Sequence, residues 1–389
     1  MPVAILFPRY DHPAIEERYA SWQSEAILRR DAAEVHHYDF DEPAGHAVGG
    51  VSTTHVLIIT DPLVLPSPHL PERLAAVLER AGGAFAAVPS ATIAAMTAQR
   101  IELPPYMTLR EYEMITTSLQ QAEPSIERVK WDTSDPGAFL CRTADLNQST
   151  ATMLELLSGR DVVVSRGDFV HRWPSLRGDD RKDLLERIAP TAKSVLEFGC
   201  GEGALGAALK QRQKVRVVGI ELDHRAAAIA KKRLDDVYEG NALEIVSILH
   251  EQFDWIVGGD IVEHLEEPWS FLSDLRRLAR DDGRLLLSIP NIANASIIGD
   301  LLQGRFDYVY MGLTCAGHLR FFTRRSIEEM LSIAGWEIEQ IDPQELTVTS
   351  ERDAIIARLE AAGLDFSKED LLPTGYYVTA RKRSRSSRR

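Results

Sequence analysis

Apolar and polar positions follow two textures along this chain. In the first, short apolar runs break off at prolines and glycines. Residues 3–8 (VAILFP) predict a buried strand stopped by Pro8, and residues 14–30 carry helical periodicity. Residues 56–60 (VLIIT) predict a second strand that runs into a turn rich in proline (Pro62, Pro66, Pro68). Residues 70–80 predict an amphipathic helix ended by Gly82-Gly83, and residues 84–88 a short strand closed by Pro89. This alternation predicts a small α/β domain over residues 1–142. Residues 143–174 are more polar, with a helical pattern at 151–157, and are expected to form a helical connector.

The second texture begins near Lys193 and is far more regular. Strands are predicted at 194–198, 215–220, 253–258 and 284–289, with helices at 204–211, 224–234 and 268–280 between them. A helix is also predicted at 182–188. Such alternation predicts an α/β fold with a doubly wound, largely parallel sheet.

Composition narrows the function classes. The 389 residues carry 58 acidic and 44 basic groups, a net charge of −14. Six of the basic groups lie in the last nine residues, so the rest of the chain holds 58 acids against 38 bases. A body this acidic excludes general electrostatic binding of nucleic acid, which needs dense Lys and Arg. Residues 384–389 are expected to be a disordered basic tail. No run approaches the roughly 20 apolar residues of a membrane span, and no basic region precedes the first apolar run, so a secretory signal is not expected. Cys141, Cys200 and Cys315 are odd in number and widely spaced. They predict neither a disulfide framework nor a zinc site, and suit a reducing cytoplasm. No metal site is expected.

The sharpest motif is Glu197-Phe198-Gly199-Cys200-Gly201-Glu202-Gly203, where a predicted strand runs through alternating glycines into a helix. Glycine lets the backbone turn tightly and lets a ligand approach the main chain. Glu221, ending the next strand, is placed to accept hydrogen bonds from a ribose diol. Gly201, Gly203 and Gly206 also satisfy GxGxxG, which leaves NAD open. Glu197 argues against it: a carboxylate there repels a pyrophosphate and favours the ammonium and sulfonium charges of S-adenosylmethionine.

Together with Gly219-Ile220-Glu221-Leu222-Asp223 and Asp260-Ile261-Val262-Glu263-His264-Leu265, followed by Pro268-Trp269, this segment resembles class I S-adenosylmethionine-dependent methyltransferases. Ser288-Ile289-Pro290-Asn291, His318 to Thr323 and Ala334-Gly335-Trp336 are similar to the branch found in bacterial polysaccharide and glycan pathways. The resemblance spans residues 175–383 and implies a Rossmann-like, seven-stranded domain. It implies S-adenosylmethionine as cofactor, held by Glu197, Gly199, Gly201, Gly203, Glu221, Leu222, Asn241, Ala242, Asp260 and Ile261. Asn241 stands where many members have Asp. The resemblance further implies a sugar or glycan-linked acceptor, and a homo-oligomer or an association with glycan-pathway enzymes; methylation of a non-sugar small metabolite, and a cofactor-binding scaffold without turnover, stay open as alternatives.

Methyl transfer to a hydroxyl needs alignment of donor and acceptor and removal of a proton. His264, after the fourth strand, and His318, in the insertion after the fifth, are the candidate bases, since imidazole titrates near neutrality. The insertion at 291–316 is expected to form the acceptor pocket, with Arg305, Tyr308 and Tyr310 facing the acceptor; packing in a lid hairpin is the alternative for them. The Asp and Arg that many relatives carry just before His318 are absent from this sequence. The first domain is similar, faintly, to a GT-A glycosyltransferase: residues 3–10, Ile59 to Pro66 and Gly137-Ala138-Phe139-Leu140 carry the likeness. Metal-dependent sugar transfer needs two close carboxylates, and Asp61 stands alone in sequence. The expectation is therefore either a degenerate domain that binds an acceptor or a partner, or an unrelated α/β domain.

Overall fold

A computed structural model describes the chain except residues 11, 13, 133, 174–177, 345–347 and 384–389, so the predicted basic tail lies outside the described residues. The chain divides into two units, Met1–Pro174 with Asp307–Gly317, and Ser175–Phe306 with His318–Arg389.

In unit 1 the strands are β1 (Val3–Pro8), β2 (Glu34–Tyr38), β3 (His55–Ile59), β4 (Leu65–Pro66), β5 (Ala86–Ala91), β6 (Ile126–Lys130), β7 (Ala138–Arg142) and β8 (Asp161–His171). The sheet runs β2-β1-β3-β7-β5-β8-β4, with β6 on β8. β1, β2 and β3 are parallel, β7 is antiparallel to β3 and β5, and β5 and β8 are parallel again. The continuous apolar strands predicted at 3–8 and 56–60 are buried along their length, as expected of strands covered on both faces. Among its described residues the predicted connector at 143–174 has a single short helical turn, Thr143–Asp145. Residues 151–157 form turns, and Asp161–His171 supplies the 11-residue strand β8. Its run of three valines packs into the sheet core, which makes residues 143–174 an integral part of unit 1.

Unit 2 contains β9 (Ser194–Phe198), β10 (Arg216–Glu221), β11 (Asp236–Glu239), β12 (Phe253–Gly259), β13 (Ala279–Pro290), β14 (Trp336–Gln344) and β15 (Gly375–Lys382). They form the expected seven-stranded sheet in the order β11-β10-β9-β12-β13-β15-β14. The first five are parallel, and β15 is antiparallel to both β13 and β14. The chain reverses direction in strand order at β9, so the loops after β9, β10, β11, β12 and β13 gather at one edge of the sheet, with a crevice at the switch point. Close approach is required inside the sheet as well: a Cβ on Gly258 would stand 2.1 Å from the Phe198 ring.

The insertion after β13 does not fold as one hairpin. Residues 295–301 form a short helix of unit 2, whereas Asp307–Gly317 clusters with unit 1. On the far side of the sheet, Trp336 opens β14 with its side chain in the core, 1% exposed, and its indole N–H donates to the Leu272 carbonyl at 2.7 Å. Trp336→Ala is expected to destabilise unit 2 by about 3–5 kcal/mol, from lost burial and the cavity left behind. Trp336→Phe should cost about 1–3 kcal/mol by stranding the carbonyl. Urea unfolding followed by circular dichroism measures both, and equal midpoints for parent and Trp336→Ala would contradict this packing.

Candidate functional site

The loop after β9 turns on glycines whose backbones take positive φ: 69° at Gly199, 54° at Gly201 and 74° at Gly203. Side chains other than glycine are rarely tolerated there. The Gly199 and Cys200 amides both donate to the Ile220 carbonyl, at 2.8 and 3.1 Å. The Gly201 amide donates to Glu221 Oε2 at 2.7 Å, and Glu221 Oε1 accepts from the Asp223 amide at 2.9 Å. Glu221 thus ties the glycine loop to the end of β10. A Cβ on Gly199 would come within 2.8 Å of Ile261, which places the loops after β9 and β12 against each other.

Glu197, at the end of β9, is 7% exposed, and its Oε2 has no hydrogen-bond partner among the described residues. Burial pushes its carboxyl up to about 8; Glu221 adds to the shift, while the Arg181 guanidinium and the Gly206 amide oppose it. A buried carboxylate oxygen with nothing to bond is a site built for a cationic donor. Asn241 is exposed and caps the helix 242–248, its side-chain oxygen accepting from the Leu243 amide at 2.9 Å. That oxygen therefore already has one partner. Ala242 packs on the core, and Leu222 is 74% exposed.

Asp260 is one of the few residues other than glycine with positive φ, 51°. It is held there from three sides. Its amide donates to the Ser288 carbonyl, the Ser288 hydroxyl donates to Oδ1 at 2.9 Å, and Arg181 Nη1 donates to Oδ2 at 2.9 Å. Arg181 also pairs with Asp183, which in turn accepts from the Tyr377 hydroxyl at 2.8 Å. No local motif marks Arg181, because the partners that bring it to this turn, Asp260 and Ser288, lie 79 and 107 residues away.

The turn Val262–His264 follows Asp260 and Ile261. Here His264 meets His318, their ring centroids 4.9 Å apart at an interplanar angle of 84°. The Leu319 and Arg320 amides donate to the Glu263 carbonyl at 2.8 and 3.0 Å, which pins the His318 segment to this turn. Glu263 lies beside them, wholly buried, and burial pushes its carboxyl well above the usual range, with Asp260 adding to the shift. The two candidate histidines are therefore brought together; Glu263 is the member of the group that sequence reasoning missed.

The expected acceptor residues are not brought together in one unit. Arg305 is half-buried in unit 2. Tyr308 and Tyr310 belong to unit 1, where Tyr308 packs edge-on against Tyr19 at 6.1 Å and Tyr310 against Trp173 at 5.8 Å. Asp61, in turn, does not stand alone. Asp135 joins it, and Arg172 lies between them, its Nε 3.0 Å from Asp61 Oδ2 and its Nη2 2.9 Å from Asp135 Oδ2. A guanidinium satisfies both carboxylates where a metal-dependent site would need them free.

Residues 171–341 match the family model of a methyltransferase domain. The greater part of unit 2 thus carries the likeness to a methyltransferase domain. A "Probable S-adenosylmethionine-dependent methyltransferase" of Mycolicibacterium smegmatis is 31% identical over 158 residues, covering 40% of this chain and 56% of that protein. The "Ubiquinone biosynthesis O-methyltransferase" of Pseudomonas aeruginosa is 32% identical over 114 residues, covering 27% of this chain and 48% of that protein. The chain thus spans about half the length of these curated relatives. A crystal structure of a SAM-dependent methyltransferase from Archaeoglobus fulgidus is similar at a TM-score of 0.38 and 18% identity, over 53% of this chain and 96% of that one. The cofactor of the methyltransferase domain is S-adenosylmethionine, and the orphaned Glu197 oxygen, the glycine loop and Glu221 fit it.

The shift on Glu197 gives a test. With no cation beside it, Glu197 holds its proton at pH 7, and its contribution to stability falls as pH rises from about 4.5 towards 8. A cation placed against it favours the ionised form. Binding of S-adenosylmethionine at pH 7 is expected to release about one proton more in the parent than in Glu197→Gln. Calorimetry in buffers of different ionisation enthalpy reads the difference, and identical proton release in both proteins would contradict the assignment.

Proposed function

We propose that the protein transfers a methyl group from S-adenosylmethionine to a hydroxyl of a sugar or glycan-linked acceptor. The observation that carries the cofactor half is the buried, unpartnered Glu197 oxygen beside the positive-φ glycine loop. S-adenosylmethionine, when bound, supplies a methyl group on a sulfonium. Glu197 would meet its positive charge, Gly199, Gly201 and Gly203 its methionine portion, Glu221 its ribose, and Asn241 with Ala242 its adenine. Leu222, Asp260 and Ile261 complete the walls. We assign His264 to the proton of the acceptor hydroxyl, because it is less buried than the His318 side chain and ends the turn that follows Asp260 and Ile261. His318 supports it across the ring contact. Arg305 remains the candidate for the acceptor within unit 2, and Tyr308 and Tyr310 keep the packing described for them in unit 1.

Unit 1 fits a glycosyltransferase-like domain without its own chemistry. The support is its sheet, in which the antiparallel β7 is set between parallel strands, and the Arg172 pairing that neutralises Asp61 and Asp135. A domain of that kind would present a glycan acceptor or dock a glycan-pathway enzyme or a second copy of the chain. Cys141, Cys200 and Cys315 are buried, and no helix among the described residues is long and apolar enough to cross a membrane. A second reading, methylation of an aromatic or other non-sugar hydroxyl, is favoured by the likeness to the Pseudomonas O-methyltransferases.

Labelled methyl transfer to a panel of nucleotide sugars, oligosaccharides and catechols tests the proposal. Transfer to a sugar hydroxyl is expected, and His264→Ala should lower turnover about 100-fold or more with cofactor affinity nearly unchanged. Transfer to catechols alone would move the acceptor to the second reading. Full activity in both His264→Ala and His318→Ala would overturn the hydroxyl chemistry assigned to this cluster.

A further inference from the structure

Glu263 poses a problem of satisfaction. It is wholly buried, and neither carboxylate oxygen has a hydrogen-bond partner among the described residues. A bare buried carboxylate is strongly unfavourable, and a proton on it removes the charge but leaves an O–H with no acceptor. What faces it is imidazole. His318 Nε2 lies 3.9 Å from Glu263 Oε1, too long for a hydrogen bond and a fitting separation for two ligands of one ion. One ligand atom each from Glu263, His264 and His318 lie within 4.8 Å of one another, the one such group among the described residues. Ligands bonded at about 2.0–2.2 Å to one cation stand about 3–4.4 Å apart, so small side-chain rotations bring all three onto it.

We propose that Glu263, His264 and His318 bind one divalent transition-metal cation, with coordination positions left open towards the acceptor. Two imidazoles and one carboxylate select zinc, manganese, iron(II) or cobalt over magnesium and calcium. Asp260 shares the turn but is engaged by Ser288 and Arg181, so it is not counted as a ligand. The arrangement is held by backbone: the two amides on the Glu263 carbonyl fix the His318 segment whether or not a cation is present. Glu263 is buried and His264 half-buried, and the His318 side chain is 7% exposed, so the open side of the group is that of His264. The sequence pattern hides this site because its third member lies more than fifty residues beyond the adjacent pair.

The inference deepens the proposed methyl transfer. A hydroxyl on such a cation ionises far more readily than a free one. As a ligand His264 gives to the cation the lone pair that would take that proton, and it acts by holding the cation. The hydroxyl proton then leaves to solvent water as the methyl–oxygen bond forms and the methyl–sulfur bond breaks. The full chain, stripped with a chelator, is titrated with Co²⁺ and Zn²⁺ and followed by calorimetry and by the visible absorption of bound cobalt. Saturable one-to-one binding is expected, weakened about 100-fold or more in both Glu263→Gln and His318→Ala, with the cobalt band lost. Binding of S-adenosylhomocysteine to His318→Ala verifies that this variant is folded. No one-to-one binding in the parent would overturn the site. So would parent-like affinity in folded His318→Ala, which would assign the uptake to surface histidines such as His36 and His37. Cation binding that obeys these variants, in a protein that methylates no hydroxyl, would uphold the site and defeat the function proposed above.

Discussion

The hydrogen bond from the Gly201 amide to Glu221 is the constraint on which the site depends. It joins the loop after β9 to the end of β10, across the point where strand order reverses. Without it the positive-φ glycines have no fixed partner at the edge of the sheet. The Ile220 carbonyl, which accepts from both Gly199 and Cys200, and the Gly240 amide, which donates to the Glu221 carbonyl, extend the tie to the loop after β11. The parallel sheet brings strand ends to one edge; these bonds give that edge its shape.

The electrostatics of that edge follow from what gathers there. Glu197, Glu221, Asp260 and Glu263 all sit at or just beyond the ends of β9, β10 and β12. Arg181 offsets part of this charge through Asp260, and it opposes the upward shifts on both Glu197 and Glu263 without cancelling them. Two of the four acids keep buried oxygens without partners. A protein that carries such acids uncompensated stores an affinity for cations. In the proposed reading the charges of the cofactor would answer the need at Glu197, and a divalent cation would answer it at Glu263. One physical rule accounts for both halves of the site.

The sequence is informative where structure is local. The glycine loop, the first strands of the methyltransferase domain and the acid after β10 are legible because turn chemistry and strand alternation are written within a few residues. β8 escapes a local reading: its three valines stand between polar flanks, and its place between β5 and β4 is fixed by pairing across the chain. Arg181 and Asp135 escape for the same reason, since each acquires meaning only from distant partners. The insertion shows the limit most plainly. Tyr308 and Tyr310 carry the composition of a binding lid, yet packing against Tyr19 and Trp173 assigns them to unit 1. Glu263 could have been suspected beside His264, but its isolation from donors is a property of the folded core alone.

The central claim is that the crevice at the end of β9 holds a cationic nucleoside and not a dinucleotide. Calorimetric titration of the full chain with S-adenosylhomocysteine and, separately, with NAD measures it most directly. The account predicts saturable one-to-one binding of S-adenosylhomocysteine and no heat from NAD. Binding of NAD alone would contradict it.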